Sequence, residues 1–179
     1  MTSPEKTVLV VIDVQGRLAQ LMVDKDRLFG NLKKLVQAAQ LFEIPIICTE
    51  QVPEKIGGTV PEVSELIETF QPVPKESFSC YQEEEFVRTL KDLGRKHILI
   101  AGIEAHVCVY QTVSDLLEAG FQVELAADAV SSRSASNLEI SIDRMKDLGA
   151  QITSVEMAVC EWARGSTHPK FKEMLNLIK

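Results

Sequence analysis

The sequence predicts a three-layer α/β/α fold that is Rossmann-like and has a mainly parallel sheet. Two observations favour it: short apolar runs alternate with helical patterns along the chain, and polar residues follow several of these runs directly. The 179 residues are enough for one substantial core. Because no linker or repeat interrupts the alternation, we expect one domain over residues 1–179.

Five runs of β-branched and apolar residues have the composition of strands buried on both faces. They are residues 7–12, 45–49, 97–101, 121–126 and 151–153. Between the second and third runs, Pro53, Gly57, Gly58 and Pro61 predict a loop.

Between these runs, apolar residues recur at helical spacing. The pattern predicts helices around residues 28–42, 86–93, 107–119, 138–148 and 154–164, and a last helix that begins near residue 169. Ser154 is suited to an N-cap, and Gly94, Gly120 and Gly149 each follow a predicted helix. Strands and helices in this order form right-handed crossovers, so ligands are expected beyond the carboxyl ends of the strands.

Charge and hydropathy restrict the partners. The net charge of −7 argues against a broad nucleic-acid surface and against adhesion to anionic membranes. No apolar run is long enough to span a bilayer, and the first residues lack the pattern of a signal peptide. We therefore expect a cytoplasmic protein with no nucleic-acid or membrane partner.

The four cysteines show neither CxxC spacing nor a close Cys/His pattern. A reducing compartment would keep them as thiols. We interpret Cys48 and Cys160 as small buried core residues.

Cys108 is the first candidate for chemistry. It follows the third predicted strand by a short loop and opens a helix. Free N–H groups and partial positive charge at a helix start favour the thiolate and can hold an oxyanion. Position alone fits a structural cysteine equally well.

Asp13 and Lys75 are the other candidates. Asp13 directly follows the first strand, where a carboxylate can transfer protons, although a turn or helix cap also uses Asp there. Lys75 lies in a loop stiffened by Pro72 and Pro74. A lysine held beside a thiol lowers the pKa of that thiol, but a loop lysine is more often solvated surface.

Three segments together resemble the signatures of the isochorismatase-like hydrolases, a superfamily that includes nicotinamidases and N-carbamoylsarcosine amidase. They are Ile12-Asp13-Val14-Gln15, Lys75-Glu-Ser-Phe-Ser and Gly102-Ile-Glu-Ala-His-Val-Cys108-Val. The similarity extends over essentially the whole chain, including residues 127–130 and 161–162. Their order and their βα context make the resemblance specific.

The resemblance implies that Asp13, Lys75 and Cys108 form one catalytic triad. Asp13 then takes the thiol proton, Lys75 stabilises the thiolate, and Cys108 attacks an amide-like or carbamoyl carbonyl to form a thioester. Because no arginine or amide side chain near the motif is an obvious donor, we expect the backbone N–H groups of Glu104 and Cys108 to form the oxyanion hole. The resemblance implies a cis peptide between Ile103 and Glu104. A homo-oligomer and no cofactor are expected.

Two departures limit the resemblance. Nicotinamidases carry an Asp/His metal cluster after the second strand, but here residues 48–55 contain no histidine, and His97 falls at the wrong end of its strand. We therefore expect no metal site. Isochorismatase itself acts on a vinyl ether, which need not involve a cysteine, so the family does not fix the reaction.

The closest similarity is to isochorismatase-domain proteins of undefined substrate. Phe78, Tyr110 and Trp162 are candidates for a pocket lining, but core or interface positions fit them as well. His106 either points into the pocket or is held by backbone in its loop.

Two other functions stay open. The chain could be an oligomeric binding or interaction protein that keeps the triad without turnover. It could also be a thiol-redox protein that pairs Cys108 with Cys80, the candidate resolving cysteine.

Overall fold

A computed structural model describes residues 2–179. Six parallel strands form one sheet in the order β3-β2-β1-β4-β5-β6. The strands are β1 Thr7–Ile12, β2 Ile46–Gln51, β3 Val73–Lys75, β4 His97–Ile103, β5 Gln122–Ser131 and β6 Gln151–Thr153. The predicted α/β fold class is confirmed.

The helices cover both faces of the sheet. They are α1 Gly16–Ala19, α2 Lys25–Leu41, α3 Pro53–Ile56, α4 Pro61–Ser64, α5 Glu84–Asp92, α6 Tyr110–Glu118, α7 Ala135–Asp147, α8 Val155–Ala163 and α9 Phe171–Ile178. One face packs against α2, α8 and α9, and the other against α5, α6 and α7. None of the helices within residues 2–179 has the length and apolar content needed to cross a membrane.

The apolar core is divided by the central strand β1. Leu9 and Val11 join one hydrophobic cluster, while Val8, Val10 and Ile12 join the other. All six residues of β1 are buried, because alternate side chains point to opposite faces that are both covered.

Strand β3 was missed by the sequence analysis, which assigned Lys75 to a proline-stiffened loop. Its residues pair with the end of β2, with Gln51 opposite Lys75. Proline is tolerated here because β3 is the edge strand, where a missing N–H leaves no neighbouring strand unpaired. The same pairing fixes the backbone of Lys75 on the sheet.

Other boundaries also differ from the prediction. Strand β5 continues past residue 126 to Ser131, because its pairing with β4 shifts register and then resumes at Gly102 and Ile103. The last helix starts at Phe171 instead of residue 169, since a turn closed by the Phe171 N–H and the His168 carbonyl precedes it. Ser154 is the N-cap of α8, as predicted.

Candidate active site

The carboxyl ends of β1, β2 and β3 bring three polar side chains together. Asp13 follows β1 with a left-handed backbone (φ 50°), which Asp adopts more readily than most residues. Its Oδ2 lies 2.7 Å from Nζ of Lys75, and its Oδ1 accepts a 2.7 Å hydrogen bond from the Thr49 hydroxyl. Within residues 2–179, no hydrogen bond of good geometry reaches Oδ2.

Lys75 is buried and its ammonium group is fully engaged. Besides the ion pair with Asp13, it donates to Oε1 of Gln51 and to the backbone carbonyls of Ser77 (3.1 Å) and Phe78 (3.0 Å). Burial, the largest single effect, lowers the pKa of Lys75, but Asp13, Cys80 and Cys108 together outweigh burial and raise it above its ordinary value. Lys75 is therefore a fixed cation.

Cys108 is buried beside this pair, in a π-helical turn formed by Ala105–Val109 that leads into α6. Its Sγ lies 4.0 Å from Oε1 of Gln51. Burial and the Asp13 carboxylate raise the pKa of the thiol to about 12, although Lys75 opposes this shift. The expectation that the resting site favours a thiolate is wrong, because the helix start is buried and a carboxylate lies next to the sulfur.

The segment before Cys108 has an unusual backbone. The peptide bond between Ile103 and Glu104 is cis, and the Glu104 carbonyl accepts hydrogen bonds from the N–H groups of Val107 and Val109. Gly102 has φ 117°, and a Cβ there would lie 2.1 Å from the Ile12 carbonyl oxygen. Only glycine lets β4 approach β1 closely enough at this point.

Two buried side chains that the sequence analysis did not single out fix the loop after β2. Gln15 accepts from the Gln51 N–H and donates to the carbonyls of Gln51 and Gly57. Glu50 accepts from both the N–H and the hydroxyl of Thr59. The pattern of apolar residues does not reveal such contacts. The available sign in the sequence was the run of polar residues Thr49-Glu50-Gln51 at the end of an apolar strand.

A cavity of about 120 Å³ opens onto Cys108. Its polar lining consists of Asp13, Gln15, Gln51, Glu104 and Cys108. Its apolar lining consists of Leu18, Ile56, Phe78, Ile103 and Val107. Since cavities for drug-sized ligands run to about 300–1,000 Å³, this one suits a very small molecule.

Residues 7–157 match the isochorismatase domain family. The chain belongs to the isochorismatase family. The resemblance noted in the sequence is thereby confirmed, and the family supports a hydrolase. The triad and the substrate type do not follow from family membership.

Several relatives span most of the chain. The secreted isochorismatase effector Isc1 of Phytophthora sojae is 37% identical over 98% of this chain and 86% of its own length. Isochorismatase domain-containing protein 2 of Danio rerio is 34% identical over 98% of this chain and 88% of its own.

Solved structures of similar proteins share the fold. The MAR1 ribonuclease from Caenorhabditis elegans superimposes with a TM-score of 0.92 at 37% identity and covers 99% of this chain and 91% of its own. YcaC from Pseudomonas aeruginosa, solved with hexane-2,5-diol and covalent acrylamide, gives a TM-score of 0.91 at 25% identity, over 98% of this chain and 90% of its own.

Not every aromatic or histidine candidate reaches the site of this isochorismatase-family chain. Phe78 lines the cavity and is 53% exposed at its mouth. Trp162 is a core residue in edge contact with Phe42. Tyr110 and His106 line a separate small cavity against α7, and Nδ1 of His106 lies 2.9 Å from the Ser132 hydroxyl.

The remaining cysteines behave differently from one another. Cys48 is buried as expected, but the prediction of a buried Cys160 is wrong, because this residue lies on the exposed side of α8. Cys80 is buried behind Thr49, with its Sγ 3.6 Å from the Thr49 hydroxyl, and burial raises the pKa of its thiol to about 11.

No group of three or more His, Cys, Asp and Glu side chains is placed to hold a metal ion in the part of the chain that the structure describes.

Proposed function

We propose that this protein hydrolyses a C–N bond of a small amide-like or carbamoyl substrate through a thioester on Cys108. The observation that carries the proposal is the buried Asp13–Lys75 ion pair beside a buried thiol at a small cavity. A buried ion pair costs desolvation and is weak evidence for stability, so its position next to a nucleophile favours a chemical role.

In the proposed acylation step, Asp13 acts as the general base. With the thiol pKa near 12, Cys108 starts protonated and must lose its proton as it attacks. Oδ2 of Asp13 takes that proton, and Sγ adds to the substrate carbonyl to give a tetrahedral oxyanion. Asp13 then gives the proton to the departing amine, and the C–N bond breaks to leave the thioester.

Lys75 supplies a fixed positive charge beside Asp13 and lowers the energy of the developing thiolate. Oδ1 of Asp13 is held by Thr49 and Lys75 is held by two backbone carbonyls, so both groups stay in place during the reaction. Fixed charges in a water-poor site act without the cost of reorganising solvent.

The proposed oxyanion hole consists of the backbone N–H groups of Glu104 and Cys108. The π-helical turn Ala105–Val109, which directly follows Glu104 and contains Cys108, supports it. Such a donor is worth about 3 kcal/mol in the transition state. In the second half of the reaction, water attacks the thioester carbonyl and gives a proton to Asp13. The C–S bond then breaks to release the acid product, and the departing thiolate of Cys108 takes the proton from Asp13.

YcaC was solved with covalent acrylamide, whose C=C bond is the usual point of attack by a thiol, so that structure supports a reactive nucleophile in a protein of this fold. The proposed reaction needs no cofactor. Since residues 48–55 lack the histidines of a metal cluster, we also expect that a chelator leaves turnover intact.

The test is an activity screen over small amides, carbamoyl compounds and imides, with Cys108→Ala as the control. We expect release of ammonia or amine from at least one of these compounds by the wild type and none by Cys108→Ala. Equal activity of the two proteins would contradict the proposal, and activity restored by zinc after chelation would contradict its metal independence.

A ribonuclease is the second candidate, favoured by the identity of 37% to the MAR1 ribonuclease from Caenorhabditis elegans. RNA binding relies on basic surface to contact phosphates, whereas this chain carries a net charge of −7 and the cavity lining has no basic residue. We expect no cleavage of single-stranded RNA above the level of Cys108→Ala. Cleavage that depends on Cys108 would favour this candidate.

Location and assembly are separate proposals. We propose a cytoplasmic homo-oligomer, although the Phytophthora sojae relative is a secreted effector. Analytical ultracentrifugation tests the assembly, and a monomer at micromolar concentration would contradict it.

A further inference from the structure

We propose that the site selects an uncharged aliphatic amide and rejects substrates that carry a carboxylate or an ammonium group. This inference rests on the proposed function for the role of Cys108 in turnover. It goes beyond that function by naming the charge and polarity of the substrate, which the family leaves open.

The first argument is the charge of the cavity lining. Its two charged residues, Asp13 and Glu104, are both acidic, and each already has its own cation. Asp13 pairs with Lys75 at 2.7 Å, and Oε1 of Glu104 accepts from Nε of Arg133 at 3.0 Å and from its backbone N–H at 3.1 Å. The lining therefore offers no unpaired positive charge, and its negative charges are balanced.

The second argument is that the neutral polar groups are also engaged. The side-chain amide of Gln15 bonds to the backbone through both its oxygen and its nitrogen. Gln51 donates from Nε2 to the Glu76 carbonyl and accepts at Oε1 from Lys75. A carboxylate entering the cavity would lose its hydration and meet no positively charged side chain on the lining, which is the costly case for a buried ion.

The third argument is the size and polarity of the walls. The side chains of Leu18, Ile56, Phe78, Ile103 and Val107 surround a space of about 120 Å³. At about 30 Å³ per molecule in the liquid, that is the volume of only a few waters. A short aliphatic acyl group fills it without leaving polar atoms unpaired.

The first experiment measures turnover of a matched set of amides. Butanamide is neutral, succinamate has a carboxylate in place of the terminal methyl group, and 4-aminobutanamide carries an ammonium group on that terminal carbon. We expect kcat/KM for butanamide to exceed that for each charged amide by about a hundredfold, because burying an unpaired charge is costly. A preference for succinamate or for 4-aminobutanamide would overturn the inference while leaving the hydrolase intact.

The second experiment does not depend on turnover. Iodoacetamide and iodoacetate have similar size, but iodoacetamide is neutral and iodoacetate is an anion. Peptide mapping gives the alkylation rate at each cysteine. Exposed Cys160 serves as the internal control; its neighbour Glu156 itself disfavours iodoacetate, which makes the comparison conservative. We expect the iodoacetamide-to-iodoacetate ratio to be about thirtyfold larger at Cys108 than at Cys160.

A pair of variants completes the test. Ile56 lies on the cavity wall and is half-buried, so its replacement spares the core. Ile56→Arg adds an unpaired cation and should raise the iodoacetate rate at Cys108 about tenfold, while the matched control Ile56→Gln leaves it unchanged. Equal ratios at Cys108 and Cys160 in the wild type would overturn the inference. If none of the three amides is turned over, the hydrolase proposal loses support and the alkylation ratios still decide the charge preference.

Discussion

The two ends of the sheet bury ionisable groups in opposite ways. At the carboxyl ends, Asp13 and Lys75 are each 3% exposed and lie 2.7 Å apart as an ion pair. At the amino ends, Glu124 is 5% exposed and His97 is 8% exposed, and neither has an ion-pair partner within 4 Å among residues 2–179. Burial is similar at both ends, so the difference lies in the partners.

The pKa values follow that difference. Burial and the charge of Glu161 raise the pKa of Glu124 to about 7. Burial also lowers the pKa of His97 from its ordinary value of 6.5. Both groups are pushed toward their neutral forms, whereas Lys75 is pushed toward its charged form by Asp13. The comparison teaches that the fold pairs a buried carboxylate with a buried ammonium group at the edge where the nucleophile lies, and leaves buried ionisable groups without such a partner at the opposite edge.

The largest effect is expected when the ion pair at the carboxyl ends is broken. Lys75→Met leaves Asp13 as an unpaired buried charge, which should lower the free energy of unfolding by about 3–5 kcal/mol. We expect kcat/KM to fall at least about a thousandfold, since the developing thiolate loses its cation. Urea unfolding and steady-state kinetics measure the two effects.

The double variant Asp13→Asn/Lys75→Met sharpens this result. Removing both charges should recover most of the lost stability without recovering activity, because asparagine tolerates the left-handed backbone at position 13 but cannot act as a base. A double variant as unstable as Lys75→Met alone would contradict the role assigned to pairing.

Glu124→Gln tests the opposite end. A carboxyl whose pKa is raised in the folded state binds its proton more tightly there, so its contribution to stability is present below its ordinary pKa of 4.5 and is lost as the pH rises toward 7. The variant should therefore be more stable than the wild type at pH 8, by up to about 3 kcal/mol. At pH 4 the two should match. Thermal unfolding at both pH values checks this, and a gain that is equal at both would contradict it.

Thr49→Val tests how firmly Asp13 is held. The variant removes the 2.7 Å hydrogen bond to Oδ1 while keeping the shape of the side chain. Losing a hydrogen bond to a charged group should cost about 1–2 kcal/mol, or roughly tenfold in kcat/KM. Thr112→Val is the matched control: it removes a hydroxyl that accepts from the Cys80 N–H and touches no triad member. Equal losses of activity in both variants would argue against a specific role for Thr49.

The smallest effect is expected at His97. A histidine with a lowered pKa destabilises the folded state below its unfolded pKa of 6.5, because the unfolded chain then binds the proton more tightly. His97→Gln should therefore gain stability at pH 5 and little at pH 8, the reverse of Glu124→Gln. Activity should not change. The same sign of pH dependence in both variants would break the comparison between the two ends.

The alternation of strands and helices, and the positions of Asp13 and Cys108 beyond strand ends, followed from the sequence because apolar runs of parallel strands are continuous and their carboxyl ends meet. Strand β3, which carries Lys75, could not be predicted in this way. A proline such as Pro74 fits a strand only at the edge of a sheet, and which strand lies at the edge depends on the final strand order. The placement of Lys75 in the site was predicted only from the family resemblance.

The protonation state of Cys108 could not be predicted either. A helix start predicts a thiolate when it is exposed, but here burial and Asp13 together outweigh the local dipole and Lys75. Likewise, the partners of Gln15, Thr49 and Gln51 lie on different strands, and a hydrogen bond across strands depends on their register. Such details are set by tertiary contacts and have no local signature.

The most direct test of the triad is mass spectrometry of the protein quenched in acid during turnover of an amide. A thioester should add the mass of the acyl group to the intact chain, and peptide mapping should locate it on Cys108. The adduct should be absent from Asp13→Asn, which cannot take the thiol proton. An acyl group on another residue, or full turnover by Cys108→Ala, would contradict the account.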